Sequence, residues 1–136
     1  MQKNEIEKDK EGLNVWIRIM RLLCSIEMLK LNMIDYDIES FRKYLERTAK
    51  QYEVRERDKL VLKVLLELVK YDYNFSLTSA VVETELEKLK STDEQYAWNP
   101  DSPELILFHD WFDAKLLKKG YSPNFEVYRE AMKQEK

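Results

Sequence analysis

At 136 residues, 44% apolar and 36% charged, the chain is sized for one domain with its own hydrophobic core. Two glycines, Gly12 and Gly120, and three prolines are too few for turn-rich all-β folds, Gly-rich phosphate loops or a dinucleotide fingerprint. Twenty-three basic against 26 acidic residues leave a net charge of -3, which argues against a globally basic nucleic-acid binder and against a polyanionic tail.

Residues 1–11 alternate in charge without an apolar face and are expected to form a flexible N-terminal segment, with 12–136 a single helical domain. From Leu13 to Ile34 apolar positions are dense, and Asn14, Arg18, Arg21, Ser25 and Asn32 share one narrow polar line at 100° per residue. That pattern predicts a helix covered over most of its circumference. The four charges Arg18, Arg21, Glu27 and Lys30 argue against a membrane span. Cys24, the one cysteine, has no internal disulfide partner and is expected as a small core residue of a cytoplasmic protein.

A second helix is predicted from a cap at Asp35 or Asp37, with Ile38, Phe41, Tyr44 and Leu45 inward and a basic outer face, ending near 51–53. A third runs from about Val54 to Tyr71, its polar stripe being Glu56, Lys59, Lys63, Glu67 and Lys70. It too reads as largely buried. Residues 71–79 suggest a turn offering Ser76, Thr78 and Ser79 as caps, followed by a fourth helix at about 79–90. An irregular connection at 91–103 leads to Ser102-Pro103-Glu104, an N-cap, first-turn proline and acid that predict the start of a fifth helix ending before Gly120. Ser122-Pro123 repeats that signal for a sixth, to about Lys133. The expectation is an all-α domain: five to six helices in an orthogonal or irregular bundle around two largely buried ones.

No constellation predicts catalysis, a metal site or a cofactor. His109, the one histidine, lies i,i+4 from Asp113 and beside Asp110. The spacing suits a His–carboxylate pair, and a helix-surface histidine paired with Asp113 is the ordinary reading. A hydrolase centred on His109, Asp110 and Asp113 is the third of three functional readings.

Charge is distributed unevenly. Residues 83–113 hold nine acids and two bases, and residues 42–63 hold eight bases and four acids. These regions either neutralise one another in the fold or serve partners. The preferred reading is a non-catalytic protein–protein interaction module, of adaptor, regulatory or immunity type. Its partner-binding residues are Glu83, Glu85, Glu87, Tyr96 and Trp98, with a homodimer as a variant partner. Trp98 is either a core anchor for its loop or a contact residue. The alternative is a nucleic-acid-associated subunit binding phosphates through Arg42, Lys43, Arg47, Lys50, Arg55 and Arg57, with Tyr44 and Tyr52 for stacking.

Overall fold

A computed structural model of the chain describes residues 2–28, 39–44, 47 and 55–134, among which the regular structure is all helix, with no strand. The elements are α1 (Gln2–Glu27), α2 (Glu56–Lys70), α3 (Phe75–Val81), α4 (Glu83–Lys90), α5 (Phe108–Leu117) and α6 (Glu126–Gln134), with a further helical stretch at 39–44. They fall into two compact units, 1–55 and 56–136. The all-α expectation holds among the described residues.

In the first unit, α1 starts at Gln2, well before the predicted onset at Leu13. Its leading residues, rich in Gln, Lys and Glu, are good helix formers even without an apolar face. Val15, Trp16, Ile19, Leu22, Leu23 and Ile26 are buried along one side of α1. The opposite side exposes Leu13, Ile17, Arg21, Cys24 and Met28. Cys24 is therefore a surface residue and not the expected core one. Of the predicted polar line, Arg21 is exposed and Asn14, Arg18 and Ser25 are half-buried; the Arg18 guanidinium stacks 4.1 Å over the Tyr44 ring. The predicted end of this helix, including Asn32, and the Asp35/Asp37 cap lie outside the described residues.

In the second unit, α2 packs against α3 and α4, and α5 packs against the same two helices. Val61, Val64, Leu65 and Leu68 of α2 meet this core at nearly zero exposure, beside Val82, Leu86, Leu89, Phe108 and Phe112. Phe75 joins it, its ring 5.9 Å from Trp111 and 5.2 Å from Phe112.

The helix ends differ from expectation in instructive ways. Asn74, not a serine or threonine, caps α3, its side chain accepting from Leu77 N at 2.9 Å. The backbone then bends at Val82, which divides the single predicted helix at 79–90 into α3 and α4. Thr78, bonded back to the Asn74 carbonyl at 2.8 Å, lies in the turn before the bend. At the end of α5 the left-handed position is Lys118 (φ 54°), not glycine. Lys119 N donates to Ala114 O (2.9 Å) and Lys118 N to Lys115 O (3.3 Å), the paired bonds of a Schellman motif. Asp72 and Tyr73 (φ 55° and 62°) end α2 similarly, while no glycine has positive φ.

Candidate functional site

Ser102-Pro103-Glu104 does not begin α5. The helix starts at Phe108, and Glu104 is buried at 2% exposure instead of sitting in a wet first turn. What holds it there is Arg57, likewise buried, one residue into α2. The guanidinium grips the carboxylate with two bonds, Nε to Oε1 at 2.7 Å and Nη2 to Oε2 at 3.0 Å. Its Nη1 donates to the carbonyls of Leu89 (2.8 Å) and Tyr96 (2.9 Å), and Nη2 also meets His109 Nδ1 at 3.2 Å. An arginine side chain has five N–H donors, and all five are engaged. Glu104 Oε2 additionally accepts from Phe108 N at 3.0 Å, so the glutamate supplies the N-terminal cap that no side chain of Leu107 could.

Because arginine can only donate, His109 Nδ1 must accept, which places the imidazole proton on Nε2. Nε2 lies 2.7 Å from the Tyr128 hydroxyl, which in turn donates to Lys90 O at 3.1 Å. The result is a directed chain from Arg57 through His109 and Tyr128 to a backbone carbonyl. Burial, reinforced by the nearby charges of Arg57 and Lys90, pushes His109 down to about 3. Burial pushes Tyr128 up to about 12. Both groups are thus neutral throughout the middle of the pH range. His109 is a buried member of this cluster and not a surface partner of Asp113, which pairs with Lys90 at 3.0 Å. Asp110 stands 3.7 Å from His109 Nε2 and accepts from Asn124 N at 2.9 Å.

Over this cluster runs residues 91–107, a connection built from turns. Asp93 and Asn99 accept through their side chains from Gln95 N (3.0 Å) and Asp101 N (2.8 Å). Trp98 fastens it inward. Its ring is buried with Leu107 and Tyr128, packs 4.6 Å from Phe125, and its Nε1 donates to Glu104 O at 3.0 Å. Trp98 is therefore a core anchor and does not offer itself as a contact residue. A small pocket of about 80 Å³ beside it is lined by Thr92, Glu94, Ala97, Asn99, Tyr128 and Ala131.

The other sequence-picked residues are scattered. Glu83 and Glu87 are exposed on α4; Glu85 is bonded to Lys63 at 2.7 Å, a contact that lowers its carboxyl and raises the ammonium. Tyr96 is half-buried, with Lys88 5.2 Å above its ring. Arg57 is withdrawn from the basic set because its donors are consumed inside. Arg42, Lys43, Arg47 and Arg55 are exposed, Arg42 3.9 Å from Glu39, while Lys50 and Tyr52 lie outside the described residues. Part of the charge asymmetry thus cancels within the second unit, through Arg57–Glu104 and Lys63–Glu85.

The sequence did contain a signal for the cluster. Arg57 is in helical phase with Val61, Val64 and Leu68, all buried, so its side chain had to point inward. Among the described residues no group of His, Cys, Asp and Glu has metal-holding geometry, and no helix is long and apolar enough to cross a membrane. Comparison with protein-family models, curated proteins and solved structures finds no match for this chain.

Proposed function

We propose that this chain works by contact, as a helical protein–protein interaction module whose partner-facing element is α1. The observation that carries this reading is the exposed side of α1, where Leu13, Ile17 and Met28 are 50%, 57% and 60% accessible while a full apolar face is already buried behind them. A helix apolar on both sides has a surplus that a partner would cover. The state of the polar cluster supports contact over catalysis. Its histidine and tyrosine are shifted away from neutral pH in the unreactive directions, and each of their polar atoms is spent on a neighbour. Glu83 and Glu87 remain as a secondary acidic surface on α4.

The test is affinity capture with the full chain and two variants. A protein held by the wild type and by the Glu83→Lys/Glu87→Lys chain, but lost with Ile17→Glu, is the expected result. Loss with the α4 charge reversal instead would move the contact to the acidic face. Salt-sensitive binding to random RNA or DNA, abolished by reversing Arg47 and Arg55, would replace the reading with the phosphate-binding alternative.

A further inference from the structure

We propose that the pocket beside Trp98 is a binding site for a compact organic ammonium group, a function separate from the contact reading of α1. Its walls come from two places. Thr92, Glu94, Ala97, Trp98 and Asn99 belong to the 91–107 strap, and Tyr128 and Ala131 stand one turn apart on α6. The strap is held in shape before anything binds. Tyr96 N and Ala97 N both donate to Asp93 O, at 2.9 and 2.8 Å, and Asp93 and Asn99 each close a side-chain turn. Trp98 Nε1 then ties this stretch to Glu104 O at 3.0 Å. A ligand entering a pre-formed pocket need not order it.

The floor is aromatic and the rim is acidic. The rings of Trp98 and Tyr128 meet at 74° with centroids 6.4 Å apart. Both turn their polar atoms away, the indole N–H to Glu104 O and the phenol to His109 and Lys90 O. They offer the pocket carbon surface, which accepts apolar groups and, at a ring face, attracts a cation. Glu94 is the one charged side chain of the lining, and no described residue bonds or pairs with its exposed carboxylate. The Thr92 hydroxyl and the Asn99 amide nitrogen are likewise unengaged, since Asn99 uses only its oxygen, on Asp101 N. The strap adds the exposed acids Asp93 and Asp101 and contains no base from 91 to 107, so the local field favours a cation. The neighbouring bases are already matched. Lys90 pairs with Asp113 at 3.0 Å, and Arg129, 5.8 Å from the Trp98 ring centroid, pairs with Glu126 at 2.7 Å. A fitting ligand must bring apolar surface for the rings and positive charge for Glu94, and it must be small. At roughly 30 Å³ per water-sized group, about 80 Å³ holds about three heavy atoms. A short alkylammonium, as a small amine or at the tip of a lysine side chain, has that chemistry; a carboxylate or a phosphate does not.

The test is a titration of the full, isotope-labelled chain with n-propylammonium chloride at constant ionic strength, followed by amide NMR shifts. The expected result is saturable shifts confined to residues 92–99 and 128–131, with a Kd on the order of 1–10 mM. n-Propanol and propionate, the neutral and anionic counterparts, should bind about tenfold more weakly or worse. Glu94→Gln should weaken the amine roughly fivefold without moving the melting temperature, because the carboxylate holds nothing else. Ala131→Leu should fill the pocket and abolish saturation; should that variant fail to fold, Glu94→Gln decides by itself. Nα-acetyl-lysine methylamide separates the two sources. Binding about tenfold tighter than propylammonium assigns the site to a lysine side chain of another protein, and equal or weaker binding assigns it to a small amine. Shifts that scatter over the chain or rise linearly to about 0.1 M amine overturn the inference. So does propanol binding as tightly as the amine, or an affinity unchanged by Glu94→Gln.

Discussion

The helices α1 and α2 read alike as sequence and are used in opposite ways. Each is apolar over most of its circumference, and each was expected at the centre of a bundle. α2 meets that expectation, with Val61, Val64, Leu65 and Leu68 almost fully buried and a charged Arg57 drawn in beside them. α1 buries one apolar side and leaves a second in water. Apolar content therefore reports how much surface a helix can bury, and the neighbours decide how much it does. A buried arginine with five acceptors is a stronger sign of interior position than another leucine.

Changes at the clamp should separate the two helices most sharply. Arg57→Met leaves Glu104 buried without its cation and should cost about 3–5 kcal/mol in chemical denaturation. Next come the apolar faces. Leu65→Ala on α2 should cost about 2–5 kcal/mol, whereas Ile17→Ala, measured in dilute solution, should stay within about 0.5 kcal/mol. An equal loss at Ile17 would mean that the exposed side of α1 is covered within the monomer.

The imidazole sharpens the contrast from the acid side. The folded chain keeps His109 neutral down to about pH 3, whereas the unfolded chain protonates it near 6.5. The stabilisation is complete above pH 6.5 and is lost as pH falls through that window, at up to about 1.4 kcal/mol per unit. With one histidine in the chain, its ring signals can be followed without ambiguity. They should not titrate between pH 8 and 5, and nitrogen shifts should report the proton on Nε2; a midpoint near 6.5 would place the ring in solvent. The smallest effect expected is a gain. Lys118→Gly relieves a left-handed lysine and should stabilise α5 by up to about 1 kcal/mol in thermal melts.

Helix identity was legible because period carries it, as α2 and α4 demonstrate. Helix boundaries depart from the local sequence pattern wherever a distant residue overrides it. Ser102-Pro103-Glu104 has good helix-start chemistry, yet Arg57, 47 positions away, recruits Glu104 to a different task. Gly120 resembled a stop, but the chain turned two residues earlier on a lysine. His109 looked wet because Asp113 stood one turn away, while its actual partners came from α2 and α6, which no local spacing announces. Trp98, named among the partner-contacting residues with core anchoring as its other reading, is buried, since an indole in a loop has more to gain from a core than from water.

Arg57 is the second residue of its unit, and that position has a practical edge. A fragment beginning at Glu56 carries the entire bonding set for the 91–107 strap. A cut made only a few residues later strips Glu104, Leu89, Tyr96 and His109 of their shared donor at a stroke. Trimming the front of the second unit would then loosen its far side, some forty positions along the chain, before it disturbed the helix being trimmed.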